Sequence, residues 1–599
     1  MKRLGVWLAA TLFGVGALAG AREAVAVSLD REDTIKLGVR TYVNARVGTE
    51  NTHNGVPNRV GSRILPSTSG TFPFSAAGHL RQNRFFIEAE FDHRIDRLIQ
   101  EGVGPLSLLQ GLPFRLRNAG YHLTYRGEFD GIYDWGPREY STADFFEPLL
   151  RLPIAALNQT APDIAAARRH LRKVASHRER LFQAYLEAST GRVFFRLGRQ
   201  VLSWGEADVF QLLDHINPLD SSFGGFLIPL DERRVPLDML RLQYRIGTLG
   251  PLSDTFFESF IAVDNKVGFI PAIPPGSPWT LPSFGAPRTE VRTFSFAPSR
   301  NLRDARGGVR MVFNMGDATF SVAYLSTYFD TPAAQLFTVR GLPIEAFNDG
   351  KPCPIDPRFP FRGNDPTRNN CGSPVHVHLT APRVQVFGST VTFALPQIYS
   401  VFRSEVAYFK DEPAFTQRQF DPFLFGRDGT TGGRRLRDSI NLLVGWDVNF
   451  WLRLLNPNNT FFATTQFFVK HIRNAAGSRV FNPDGTPNPD REVLPVIDTL
   501  LPQLGVPLEP VMVSQPATSL LQTLLLTTSY RGGQVNPSFA LFYDWGGAFV
   551  YQPGVTLIRD PFRLTIDYSV LDAHRLKGGS GISLLRDRDN VQFRIDYVI

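Results

Sequence analysis

Cysteine is almost absent from this chain. Only Cys353 and Cys371 occur in 599 residues, which excludes a disulfide-rich scaffold and a multi-cysteine metal site. Long apolar runs are missing too. After the first two dozen residues no uninterrupted stretch reaches the ~20 residues a membrane-spanning helix needs, so a bundle of membrane helices is excluded. A one-sided charge is also lacking. The 64 Lys+Arg are spread along the chain beside 56 Asp+Glu, for a net charge of +8. No basic cluster or RNA-binding signature stands out, and nucleic acid is set aside as a partner. HExxH, P-loop and GxSxG motifs are absent, so the reading is not an enzyme and calls for no cofactor.

What is present begins with an export signal. Lys2 and Arg3 precede an apolar stretch from Leu4 to Leu18, and small-residue sites follow at Ala17-Leu18-Ala19, Ala19-Gly20-Ala21 and Ala24-Val25-Ala26. This is the layout of a secretory signal peptide. Residues 1–26 are assigned to it and 27–599 to the mature protein, with the cleavage point open between Gly20 and Val27. No cysteine follows the apolar run, so the chain is not read as a lipoprotein. An exported chain without a helical anchor enters a membrane only as a closed barrel. In an oxidising compartment Cys353 and Cys371, which share one loop, are expected to form a disulfide.

The length suggests several ordinary domains, but a barrel grows by adding hairpins and needs no second core. A hydrophobic fraction of 43% and a mean hydropathy of -0.11 suit a wall whose two faces average out. The 49 Phe suit aromatic girdles. A large soluble β protein shares this composition, so the case turns on period-2 patterning.

In the first mature segment Ile35, Leu37, Val39, Val43 and Val47 share one face, and Lys36, Arg40, Asn44 and Arg46 the other. Next, Phe85, Ile87, Ala89 and Phe91 oppose Glu88, Glu90, Asp92 and Arg94. Then Tyr121, Leu123, Tyr125, Phe129 and Tyr133 oppose Thr124, Arg126, Glu128, Asp130 and Asp134. Further on, Leu240, Leu242, Tyr244 and Ile246 oppose Arg241, Gln243 and Arg245. The same alternation runs through Ile440–Phe450, Phe562–Tyr568 and Val591–Ile599. The expectation is all-β: a single large antiparallel transmembrane β-barrel of about 16–18 strands, with long extracellular loops and one short loop helix. A soluble sandwich burying the apolar face remains the competing arrangement.

Connections support the barrel. Short turns are expected near Ser189-Thr190-Gly191, Met315-Gly316-Asp317, Asn456-Pro457-Asn458-Asn459 and Arg559-Asp560-Pro561. Long ones cover 48–82, 135–178, 202–236, 265–305, 330–381, 411–437 and 473–518. With the N-terminus periplasmic, all the long ones fall outside the cell; only 98–119 breaks the rule by being long on the periplasmic side. The last strand has Tyr597 near its end but Ile599 where a terminal aromatic is usual.

The run Leu197-Gly198-Arg199-Gln200-Val201-Leu202-Ser203-Trp204-Gly205-Glu206, followed by Asn217-Pro218, resembles a large family of Gram-negative outer-membrane proteins known only as a domain of unknown function. Leu455-Asn456-Pro457-Asn458 leading to Gln466, Thr527-Thr528-Ser529-Tyr530, Tyr543-Asp544 and Tyr551-x-Pro553 are similar to it as well. The resemblance covers most of the mature chain. It implies a barrel, with possible periplasmic and inner-membrane export partners for hydrophobic cargo, and carries no catalytic residues.

The candidate functional residues fall in three groups. Lys36, Arg40, Glu88, Glu90, Asp92, Glu128, Asp130, Arg241 and Arg245 are candidate pore-lining charges, acting as a transverse field on solutes or as an ion-pair ladder. Arg199, Trp204 and Glu206 are candidate anchors of a loop folded into the pore, or a structural turn in which Gly205 takes an unusual backbone angle and Glu206 pairs with an arginine. Residues 163–180 read as a helix with Ile164, Ala167, Leu171 and Val174 apolar and Arg168, Arg169, Arg172 and Lys173 basic. The apolar stretch Phe145–Ile154 upstream of it is a candidate cover for the pore mouth. His376 and His378 share a strand face but lack further metal ligands at the right spacing. The expected function is an outer-membrane channel, porin-like, passing small or hydrophobic solutes. The alternatives are a barrel component of an export system for lipid or hydrophobic cargo, and an outer-membrane hydrolase. The expected surroundings are outer-membrane lipid and lipopolysaccharide, with the protein a monomer.

Overall fold

A computed structural model describes residues 27–50, 77–111, 113, 115–136, 176–268, 291–296, 298–329, 333–338, 375–415, 434–473, 517–573, 582–585 and 588–598. Eighteen strands form one closed antiparallel ring. In chain order they are β1 (Ile35–Gly48), β2 (Leu80–Arg94), β3 (Arg117–Asp130), β4 (His177–Thr190), β5 (Val193–Gln200) and β6 (Leu237–Leu249). Then come β7 (Leu252–Ala262), β8 (Arg306–Met315), β9 (Ala318–Tyr328), β10 (Arg383–Leu395), β11 (Ser400–Phe415) and β12 (Arg434–Phe450). The last six are β13 (Phe461–Ile472), β14 (Thr518–Thr527), β15 (Val535–Asp544), β16 (Ala548–Arg559), β17 (Phe562–Ala573) and β18 (Asn590–Val598). Each pairs with the next, and β18 closes on β1 from Arg40↔Val598 to Gly48↔Asn590. Below that contact Val27–Ser28 pairs with Leu37 and Lys36, continuing the edge of β1.

The wall is inverted relative to a soluble protein. Arg46, Arg84, Glu128, Glu258 and Glu405 are buried, while outward-facing Ile87, Leu197, Val322, Ile440 and Ile595 are exposed, Ile595 by 52%. The expected alternation therefore holds, and no second sheet covers the apolar face among the described residues. Charged side chains tolerate the inside because ion pairs and hydrogen bonds satisfy them there. Aromatic groups mark the two rims of the apolar band. Phe85, Phe129, Trp135 and His177 cluster at one end, and Phe91, His93 and Tyr121 at the other.

Short turns gather on one rim, including those at Gly191, Gly316 and Asp560. The exception at 98–119 is also observed: the connection between β2 and β3 holds a helix (Asp96–Glu101) and a 3₁₀ turn (Gly104–Gly111). Long connections leave the opposite rim, except the brief one between β15 and β16. Some boundaries move. The β11–β12 hairpin extends to Phe415 and Arg434, shortening the 411–437 loop. Tyr133 and Asp134 belong to a short helix, Ile132–Trp135, because the strand ends at Asp130. The helix read over 163–180 does not reach 180, since β4 begins at His177. Its residues 163–175, the stretch Phe145–Ile154, the expected leader over 1–26 and both cysteines lie outside the described residues. The 265–305 and 330–381 connections contribute a small sheet of their own, in which Val375–Thr380 pairs with Ala333–Thr338 and Val291–Phe296. His376 and His378 fall in that sheet, and no group able to hold a metal exists among the described residues.

One place in the ring is thin. β5 is the shortest wall strand and pairs with β4 only from Ala184↔Arg199 to Thr190↔Val193. Gly198 sits where β5 leaves β4, at φ +131°, and a Cβ there would come 2.4 Å from the Ala184 carbonyl oxygen. Only glycine fits so close a backbone contact.

Candidate functional site: a loop across the lumen

Beyond Gln200 the chain does not continue up the wall. Residues 201–236 turn into the lumen and return at Leu237. Asn217 ties the two ends together: its Oδ1 accepts from the Leu202 N–H (2.9 Å) and its Nδ2 donates to the Val235 carbonyl (2.8 Å). Asp214 closes the loop further, accepting from Ser203 Oγ (2.7 Å), the Trp204 N–H (3.3 Å) and Arg234 (2.6 Å). Burial raises the Asp214 carboxyl above its usual range despite Arg234.

The first arm is apolar. Leu202, Trp204, Leu212, Leu213 and Ile216 pack onto Met239, Phe260, Leu325, Val384, Val386, Phe409 and Leu443 from β6, β7 and β9–β12. The Trp204 ring meets Phe260 edge-on at 5.3 Å, and the Arg310 guanidinium lies 5.1 Å from its centre. The arm is also held through its backbone. Glu405 accepts from the Glu206 N–H (2.7 Å) and the Leu213 N–H. Arg403 donates to the Glu206 carbonyl (2.9 Å), to both Asp208 oxygens (2.8 Å each) and to Asp447 (2.9 Å). Gln466 accepts from the Asp208 N–H (3.2 Å). Burial raises the Glu206 carboxyl, outweighing the charge of Arg403. Gly205 takes no left-handed angle here; its role is room, since a Cβ would lie 3.0 Å from Asp214 Cβ and 3.3 Å from Glu405 Oε2.

The second arm is ionic. Glu232, on the short helix Leu230–Arg233, accepts from Tyr42 Oη (2.6 Å), Arg84 (3.1 Å) and Arg40. Arg126 donates to its carbonyl (3.0 Å). Burial alone would raise the Glu232 carboxyl, but the charges of Arg84, Arg40 and Arg594 and the Tyr42 bond win and hold it at about 2. Asp220 accepts from Arg178 (2.6 Å). Burial opposes its ionisation, yet Arg178 and the Ser222 bonds keep its carboxyl below the usual range. The Phe223 ring lies against Arg178 (4.4 Å) and Arg84 (5.2 Å), and its carbonyl accepts from Gln82 (2.6 Å). Apolar residues finish the span: Phe210 meets Phe468 and Phe542, and Phe226 meets Phe542, on β13 and β15. The loop thus touches wall strands from nearly the whole circumference.

The sequence-derived candidates sort against this geometry. Trp204 and Glu206 lie in the loop's first arm. Arg199 does not enter the lumen; it pairs with Asp238 (3.1 Å) at the end of β5. Arg40 reaches Glu232, Glu88 pairs with Arg126, and Glu128 pairs with Arg84 (2.6 Å), Arg178 (3.1 Å) and Arg180 (3.3 Å). Arg241 pairs with Glu258 (2.5 Å). Asp92 pairs with His122 (2.7 Å), and Glu90 lies between it and Glu88 on β2. Asp130 accepts from the N–H groups of Asn83 (2.9 Å) and Ile132 (3.2 Å). Lys36 pairs with Asp33 (2.8 Å), and Arg245 lies near Asp254 (3.8 Å), both exposed.

Sequence reading missed Glu232, Asp214, Asp220, Arg403 and Glu405. The charged run Asp231-Glu232-Arg233-Arg234 inside a predicted loop was the available signal for the first. The separated family-like pieces meet in space. Asn456 donates to Thr528 Oγ1 (2.8 Å) and the Ser529 carbonyl (2.9 Å), joining two neighbouring turns.

Comparison with known proteins adds the following. No curated protein matches the chain. Among solved structures, Acinetobacter baumannii OccAB1 is similar at 9% identity and a TM-score of 0.41, covering 96% of this chain and 98% of that one. The outer membrane channel DcaP of Acinetobacter baumannii is similar at 8% and 0.34, covering 95% and 99%. Pseudomonas aeruginosa OpdK with vanillate is similar at 7% and 0.38, covering 94% and 97%. Likeness so distant says nothing of what this chain carries. The family described as "Protein of unknown function (DUF1302)" matches residues 7–598, and the chain belongs to it.

Proposed function

We propose that the protein is a bacterial outer-membrane channel, exported by its N-terminal leader, that passes solutes by diffusion past the loop 201–236. The supporting observation is the inverted wall: an exposed apolar band between two aromatic rims, around a charged interior crossed by a folded loop. A barrel of about 16–18 strands encloses an aqueous lumen, and the loop decides how much of it stays open. The long connections then face outside and the short turns the periplasm. Lumenal charges act mainly as an ion-pair network that holds the loop, and no covalent step is involved. The protein works as a monomer, in outer-membrane lipid and lipopolysaccharide.

Purified protein in a planar bilayer is expected to give small stepwise conductance. A folded, inserted barrel that stays silent even after the loop is cut would overturn the reading. The export alternative has one observation in its favour. The connection between β2 and β3 carries Leu108, 80% exposed, and Val103 on the short-turn rim, an apolar knob facing the periplasm. Loss of a co-purifying periplasmic protein on Leu108→Asp would support it.

A further inference from the structure

The thin place in the wall has a defined shape. Among the described residues, β4 residues His177–Gln183 have β3 on one side but no strand on the β5 side. Among the described residues Arg199 donates across this seam to the Leu181 carbonyl (3.4 Å) and the Val201 N–H to Gln183 Oε1 (3.1 Å), while on the lumen side Arg178 pairs with Asp220 (2.6 Å). The unpaired edge spans roughly 20 Å at ~3.3 Å per residue. It descends from the aromatic rim at His177, whose ring lies 4.5 Å from Phe129, past Leu181, which faces outward and is half exposed. An open sheet edge does not persist against hydrocarbon unless it lines a cavity or is covered. The chain that would have sealed it is the one that turns inward as the loop.

The inner side of the seam is amphipathic. Phe182 lies beneath the Arg126 guanidinium (3.5 Å) and near Arg180 (5.1 Å). Arg178 and Arg180 point to Glu128 and Asp220 and stay partly exposed, at 18% and 28% of their side chains. His177 and Glu179 flank the outer face.

We infer that the seam between β4 and β5 is a lateral opening through which a single-headed anionic amphiphile of the fatty-acid class moves between the lumen and the outer leaflet. Its acyl chain follows the apolar band at Leu181, Leu186 and Leu197, which is continuous with the seam. Its head group meets Arg180 and Arg178. This goes beyond the channel reading, and water-soluble conductance neither requires nor excludes it.

The test uses the whole protein in phosphatidylcholine vesicles containing radiolabelled oleate. A benzophenone amino acid replaces Phe182, with the same replacement of outward-facing Leu181 and of lumen-facing Phe86 on the sealed wall as references. On irradiation, label at 182 is expected to exceed label at 86 at least fivefold, and Arg180→Gln to lower it severalfold. Label at 182 no higher than at 86, with 181 labelled normally, overturns the opening. So does a crosslink from 182 confined to residues 137–175 of the same chain. Unchanged label in Arg180→Gln overturns the anionic head group. Gln183→Cys, which leaves the arginines in place, reads the seam a second way. A bilayer-dissolved maleimide is expected to modify it but not Thr523→Cys on the closed wall, and equal protection of both again overturns the opening.

Discussion

Two sectors of the inner wall hold the same loop by opposite means. From β6 to β12 the interior is greasy: Met239, Phe260, Leu325, Val386 and Leu443 receive Trp204, Leu213 and Ile216. From β1 to β4 it is ionic: Arg40, Arg84, Arg126 and Arg178 receive Glu232, Phe223 and Asp220. This barrel's interior is polar only where water or charge must be met. Where a loop lies permanently against the wall, the wall turns apolar as a soluble core does. Apolar contact is non-directional and roughly additive in area. An ion cluster fails as a unit, because removing one member strands the others without water.

Glu232→Ala has the largest expected effect, since it leaves Arg40 without its carboxylate and Arg84 with Glu128 alone; breaking such a cluster costs about 3–5 kcal/mol. The second arm should undock, and single-channel conductance should rise severalfold. Trp204→Ala removes the apolar anchor at a similar or slightly smaller cost of about 3–5 kcal/mol, read as a lower urea midpoint and protease cleavage within 201–236. Because Trp204 and Glu232 share no partner among the described residues, the double variant should show additivity to within about 0.5 kcal/mol; strong coupling would mean that the loop docks as one rigid body. Gly388→Val sharpens the apolar side. A Cβ at Gly388 would lie 2.3 Å from Leu213 Cδ1, and overpacking of this kind costs about 1–3 kcal/mol.

Acid gives the smallest effect. Glu232 has a carboxyl depressed to about 2 from 4.5. Its contribution is complete above the unfolded-state value and fades as pH falls toward the folded one. Between pH 7 and 5 the ionic arm should stay docked and conductance unchanged. Loosening should begin below about 4.5, deepening toward pH 2. Opening at pH 6 would show that some other group holds the arm.

How much of this was readable in advance follows from range. Alternation at Ile35–Val47 or Phe85–Phe91 is local, and an inverted wall leaves it undiluted, so these strands were legible from it, while connection lengths separated the long-loop rim from the short-turn rim. The motif at Arg199–Glu206 pointed to the right segment for a related reason: close packing at Gly198 and Gly205 restricts residue choice. The partners of that segment were beyond reach. Glu206 meets Arg403 and Glu405 only because β6 to β11 carry the chain around the ring, and Arg84 meets Glu232 only once the loop has folded inward. No period or spacing carries such information. Arg199, flanked by the motif's best signals, points instead to Asp238 on the outside.

The joint between β18 and β1 carries a consequence for biogenesis. β1 is held on one edge by two segments far apart in the chain, Val27–Ser28 at its lower part and Asn590–Val598 above. Its edge therefore stays unsatisfied until Asn590–Val598 arrive, however well the other hairpins have formed. An unfinished edge of that length invites pairing with a foreign strand. Whatever machinery inserts this protein must shield that edge until the last stave is fitted.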